Sequence, residues 1–190
     1  IKRLHQRLGT TILYVTHDQE EALALSDRIC LMRDGRAEQI STPNELYFSP
    51  RTVFAARFIG DSNLIAGTVS RGGGGEVAVA HAGGTIIARA GAGGRSFDVG
   101  DRVVAMVRPE SIRISDAPAA GENSVRGTLE SVLFVGSVVS AFLRTPGGAS
   151  FQSKMLTSRQ IAGSVGTREA TMAWNGDDVI LLEPDPTIDV

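Results

Sequence analysis

The spacing of apolar positions changes character once along the chain. Up to Gly60 it mixes helical and strand periods. Ile1, Leu4 and Leu8 recur at helical spacing and Gly9 follows, which predicts the end of a helix. Thr11–Val15 is a β-branched and apolar run, the pattern of a buried strand. Asp18 is placed to cap the next helix, with Glu21 as the second half of a capping box, and that Ala- and Leu-rich helix ends near Asp27. Arg28–Met32 reads as a second strand, and Asp34-Gly35 as a hairpin turn into Arg36–Ile40. Thr42-Pro43-Asn44-Glu45 supplies a cap, a proline at the first helical position and a glutamate at the third. Ser49-Pro50 repeats the cap-and-proline signal. The helix after it carries Val53, Phe54 and Phe58 on one stripe and ends at Gly60.

Beyond Gly60, glycine clusters separate short alternating runs. Strands are expected near Leu64–Ser70, Glu76–Ala80, Thr85–Ala90, Arg102–Arg108, Ser111–Ser115, Arg126–Phe134, Ser137–Arg144, Ser150–Met155, Arg168–Trp174 and Asp178–Leu182. Asp116–Asn123 reads as a loop. No internal repeat is apparent. Many short strands with glycine-rich turns predict a small all-β barrel or sandwich. The fold class is therefore α+β overall, with a mixed α/β segment over residues 1–60 and an all-β domain over 61–190.

Composition narrows the functional classes. The chain has 42% hydrophobic and 21% charged residues, ordinary for a globular protein. A net charge of −2 and 5% aromatic residues argue against a nucleic-acid groove, which wants basic side chains interleaved with stacking rings. The lone cysteine, Cys30, lies in an apolar run, reads as a core thiol and fits a reducing compartment. No run approaches the roughly 18 apolar residues of a membrane span. No metal-ligand cluster stands out.

The strongest chemical feature is Thr16-His17-Asp18, between an expected strand and a capped helix. Open α/β sheets bind ligands at the carboxyl ends of their strands, and a helix start favours anions. From the residues alone, His17 reads first as a histidine that finishes the strand. A phosphate ligand is its second reading. Arg108 and Glu110 flank Pro109 and read mainly as pins for a bend, with a regulatory ligand role as the lesser alternative. His5 and His81 read as solvent-facing, and Trp174 as packed against the barrel ahead of an Asn175-Gly176 tight turn. Gly94-Arg95-Ser96 is a poor imitation of a phosphate loop, with arginine in the place of lysine, and reads as a turn.

Three phrases in order carry a resemblance. Ile12–Gly35, ILYVTHDQEEALALSDRICLMRDG, resembles the end of an ABC transporter ATPase domain from its switch-histidine loop onward. STPNELYFSP followed by VFAARFIGDSN resembles the exit from that domain in importers of the maltose, glycerol-phosphate and polyamine type. VRPESIRI, Val107–Ile114, resembles a phrase of their C-terminal TOBE domain, an OB-like barrel. Ser41 departs from the glycine common at its position. The resemblance implies that residues 1–60 are the tail of an α/β P-loop ATPase domain and 61–190 an OB-like TOBE domain with regulatory and dimerising roles. It also implies that His17 is the switch histidine that senses the γ-phosphate of ATP.

By the same resemblance, the full-length protein binds ATP and Mg, couples hydrolysis to solute import, and works as a homodimer with transmembrane permease subunits. It then lies in the cytoplasm, on the inner face of the cell membrane. Its barrel can receive a small regulatory ligand; nucleic acid is not an expected partner. The sequence contains no G-x-x-x-x-G-K-[ST] string, no signature loop and no strand ending in the magnesium-binding Asp and catalytic Glu. This chain is therefore expected to be a piece of a longer protein that binds no cofactor and hydrolyses no ATP by itself. The alternative is a stand-alone small-ligand-binding or dimerisation module of OB-like fold.

Overall fold

A computed structural model describes residues 1–89, 95–115, 119–157 and 168–190. The chain divides into two compact units, Ile1–Gly60 and Asp61–Val190.

In the first unit, α1 (Lys2–Leu8) stops at Gly9, whose φ of 63° lets its amide reach the His5 carbonyl. α2 (Gln19–Leu25) follows, then β1 (Ile29–Arg33) and β2 (Arg36–Ser41) as an antiparallel ribbon. Asp34 and Gly35 both take positive φ, 50° and 76°, the conformation an Asp-Gly hairpin turn requires. α3 (Pro43–Phe48) has the full capping box between Thr42 and Glu45. α4 (Val53–Phe58) is capped by Thr52 rather than Ser49, so Ser49-Pro50 lies in the connection. Ile29, Leu31, Leu46, Ala55 and Ile59 form the core. The expected stripe on α4 splits. Val53 is fully buried, whereas Phe54 stacks on Phe58 at 5.6 Å and lies under the Arg33 guanidinium. Ser41 closes β2, with its hydroxyl accepting from buried Gln39 at 3.1 Å.

Two expectations in this unit are corrected. Thr11–Val15 is not a strand. It has no ladder partner, and Leu13 and Val15 are 90% and 87% exposed. A β-branched run supplies propensity, but a buried strand needs neighbours on both sides. Cys30 is exposed rather than a core thiol, because β1 alternates and only Ile29 and Leu31 face inward.

The second unit is two five-stranded antiparallel sheets. The first runs β12–β6–β3–β4–β5 and the second β10–β9–β8–β11–β7. Their strands are β3 (Asn63–Gly73), β4 (Glu76–His81), β5 (Gly84–Arg89), β6 (Arg102–Val107), β7 (Arg113–Ile114), β8 (Asn123–Val135), β9 (Val138–Arg144), β10 (Ser150–Leu156), β11 (Arg168–Trp174) and β12 (Ile180–Leu182). Val79, Val103, Leu129, Leu143, Phe151 and Met172, drawn from both sheets, share one core. The Gly73–Gly75 turn between β3 and β4 takes positive φ throughout.

The unit is an internal repeat, although none is apparent in the sequence. NLIAGTV (63–69) and NSVRGTL (123–129) start the central strand of each sheet. β3 and β8 carry their bulges at the same offset, between Val69 and Arg71 and between Leu129 and Ser131. Asn63 pairs with Val107 and Asn123 with Trp174, so β6 matches β11. After each of these strands comes a 3₁₀ turn, Pro109–Ser111 or Gly176–Asp178. The short strand that follows is then exchanged: β7 pairs with β11, and β12 pairs with β6. These turns correct one expectation and meet another. The Ser111–Ser115 strand shrinks to Arg113–Ile114, and the tight turn expected at Asn175-Gly176 is the start of a 3₁₀ turn. Gly91–Gly94, Ala90 and the start of the Asp116–Asn123 loop lie outside the described residues.

Candidate functional site

The first candidate region is the segment from Tyr14 to Glu21. Asp18 has extended backbone and caps α2, accepting from the Glu21 amide at 3.1 Å. The reciprocal half of the expected capping box is missing. The Asp18 amide donates to Thr16 Oγ1 at 3.0 Å instead. The Glu21 carboxylate is engaged elsewhere, accepting from the Tyr14 hydroxyl at 2.6 Å and the Thr16 hydroxyl at 3.0 Å. This carboxylate holds the phenol proton and raises the Tyr14 pKa above its ordinary 10.0. His17 is the exposed residue between Thr16 and the cap. Its neighbours are thus held by hydrogen bonds on both sides, which presents the imidazole outward at the start of α2.

The second region surrounds Arg108. This side chain is 4% exposed, and its Nη1 donates to the Asp61 carbonyl at 3.0 Å and to Ser62 Oγ at 2.7 Å. Arg108 therefore binds the first residues of its unit, and Glu110 sits exposed on the following turn. The carboxylate of Asp61 meets Lys154 Nζ at 2.8 Å and accepts from Gln152 Nε2 at 3.4 Å. The lysine contact, above all, holds the Asp61 pKa below its ordinary 3.8. Asn63 then clamps the backbone of Gln152 with both ends of its amide.

Sequence reasoning singled out Arg108 and Glu110 and missed Asp61, Asn63 and Lys154. Asp61 and Asn63 lie in the phrase VFAARFIGDSN, and its spacing from Lys154 contains nothing that announces a pair. Trp174 is buried against Phe151 at 5.8 Å, as packing suggested. His81 is half-buried, with burial lowering its pKa, and its Nδ1 accepts from the Gly83 amide at 3.1 Å. Among the described residues no His, Cys, Asp and Glu group could hold a metal. No helix among them is long and apolar enough to cross a membrane.

A duplicated, strand-exchanged OB-like unit preceded by a short mixed unit defines a class. Residues 105–182 match the TOBE domain family. The chain as a whole is similar to ATP-binding subunits of importers. It is 36% identical over 182 residues to the spermidine/putrescine import ATP-binding protein PotA of Rubrobacter xylanophilus, covering 96% of this chain and 48% of that protein. The corresponding protein of Thermobifida fusca is 41% identical over 146 residues, covering 76% of this chain and 37% of the relative. The chain thus belongs with the ATP-binding subunits of ABC importers, in the part that carries their TOBE domain. It spans about half the length of the curated relatives it matches. Among solved structures, the cytoplasmic molybdate-binding protein ModG shares the fold, with a TM-score of 0.56 at 24% identity over 64% of this chain and 96% of that one.

Proposed function

We propose that this chain is the C-terminal part of a nucleotide-binding subunit that couples ATP binding and hydrolysis to solute import. The observation that carries the reading is the similarity to import ATP-binding proteins along 96% of the chain, the switch-loop phrase included. In this reading residues 1–60 complete an ATPase domain and His17 senses the γ-phosphate. Its outward position beside a hydrogen-bonded cap supports that role. ATP and Mg belong to the full-length protein, because the strings that would hold them are not in this sequence. The chain alone hydrolyses no ATP. The relatives' names make polyamines the first solute to test.

Residues 61–190 act as the regulatory and dimerising domain, with Arg108 and Glu110 at its entry. The partners are a second copy, transmembrane permease subunits and a small regulatory ligand, on the inner face of the cell membrane. Exposed Ile12, Leu13 and Val15 suit a segment that completes a sheet with further chain. The ModG likeness favours a second reading in one respect only, a ligand-binding role for this fold.

The test joins the N-terminal half of the Rubrobacter xylanophilus relative to this chain at Ile1 and measures Mg-ATP turnover. The chimera is expected to turn over ATP, and His17→Ala to lower the rate by about 100-fold or more. Full activity in the His17→Ala chimera would sink the switch-histidine assignment.

A further inference from the structure

The repeat gives the barrel unit two related grooves. The first, about 400 Å³, is lined by Val77, Arg89, Arg95, Ser96, Phe97 and Leu181 among others. The second, about 580 Å³, is lined by Ile112, Arg113, Ile114, Val138, Lys154 and Met155 among others. The registers make their key positions equivalent. Arg89 pairs with Glu76 as Lys154 pairs with Ser140, each two residues past the one clamped by the repeated asparagine. Leu181 pairs with Ala105 as Ile114 pairs with Met172. Each groove therefore has a cation at the same place above an apolar strand wall. Each also has a second cation, Arg95 or Arg113. Both volumes lie within the range of small-molecule sites, which combine an apolar lining with a few fixed polar groups.

The counter-charges show what these cations accept. Asp177 meets Arg89 two-pronged, with Nε at 2.6 Å and Nη2 at 3.3 Å. Arg95 pairs with Glu183, Arg113 with Glu122, and Lys154 with Asp61. None of these four acids is among the described lining of either groove; the acids that do line them are Asp98 in the first and Glu110 in the second. Three of the four pairs are substantially exposed at both ends, and such pairs exchange partners at little cost. A carboxylate on an apolar body can take the place of the protein acid and add contact with the wall.

We propose that the two grooves are twin sites for a small organic carboxylate with an apolar body. The inference deepens the regulatory-ligand part of the proposed function, which names neither site nor chemistry. Arginine forks suit carboxylates, and the apolar walls exclude a bare inorganic anion as the best-fitting ligand.

The test is a nitrogen-15 NMR titration of the 190-residue chain with benzoate as probe. Saturable shifts are expected at Ser96 and Leu181 and at Ile114 and Met155. Benzyl alcohol, its neutral counterpart, should bind at least about tenfold more weakly. Arg95→Gln should weaken the first set about fivefold and leave the second unchanged, with an unaltered thermal melt. Absence of saturable shifts, equal binding of the alcohol, shifts at one groove only, or indifference to Arg95→Gln would each overturn the proposal. ATP turnover plays no part in this readout, so failure of the transporter reading leaves the result intact.

Discussion

Asn63 holds Gln152 by both ends of one amide: the Gln152 N–H donates to Asn63 Oδ1 at 2.7 Å, and Asn63 Nδ2 donates to the Gln152 carbonyl at 2.9 Å. Asn123 repeats this on Ile87, at 2.7 and 2.8 Å. Each asparagine opens the central strand of one sheet and satisfies an edge strand of the other. The exchange ties the two sheets together beside the core they share. Both residues are buried, so Asn63→Ala leaves a backbone donor and acceptor without partners. We expect Asn63→Ala and Asn123→Ala each to destabilise the chain by about 1–3 kcal/mol, measured by urea unfolding. A loss below a few tenths would show that the amide clamps do not hold the sheets.

The glycine four residues past each asparagine makes a second shared requirement. A Cβ on Gly67 would lie 2.7 Å from the Ala80 carbonyl oxygen, and one on Gly127 would press into the Arg144 carbonyl. The backbone of the neighbouring strand cannot step aside as a side chain can. Gly127→Ala and Gly67→Ala are expected to cost about 1–3 kcal/mol or more in urea unfolding. Gly72, on the same strand as Gly67, faces open space and has no positive φ, so Gly72→Ala should stay within about 0.5 kcal/mol. Equal effects at Gly72 and Gly127 would discard the close-approach explanation.

These two positions also explain what the sequence hid. NLIAGTV and NSVRGTL share three identities in seven, among glycines so frequent that Gly67 and Gly127 do not stand apart. Local signals were legible: alternation located the strand segments, Asp34-Gly35 its turn, and Thr42 and Glu45 their cap. Non-local pairing was not. Thr11–Val15 carries strand propensity, yet only a neighbouring strand can make it one, and no spacing rule supplies that neighbour. Cys30 sits in an apolar run, and which face a two-stranded ribbon buries depends on what packs against it. His17 stood out as a polar residue at a chain turn, but its proposed role came from resemblance. Asp61 and Lys154 are separated by 93 positions, so only the fold joins them.

The Asp61–Lys154 pair gives a pH dependence whose direction can be worked out. Lys154 holds the carboxyl of Asp61 below its ordinary 3.8. A group with a depressed folded pKa adds stability above its unfolded value, and that contribution disappears as pH falls through the lower folded value. Lys154→Ala should therefore raise the Asp61 pKa toward the ordinary value, read by carbon-13 titration of its carboxyl. Both side chains are more than a third exposed, at 54% and 36%, so solvent screens the pair. The variant should lose under about 1 kcal/mol near neutral pH. That deficit should fade as pH drops through the lowered pKa of Asp61 and its carboxyl becomes protonated in both proteins. It should also shrink in about 1 M salt, where the screening length falls to roughly 3 Å. An Asp61 that titrates identically in the variant would move the cause to the next partners, Gln152 and Arg108, and Gln152→Ala would then have to produce the shift.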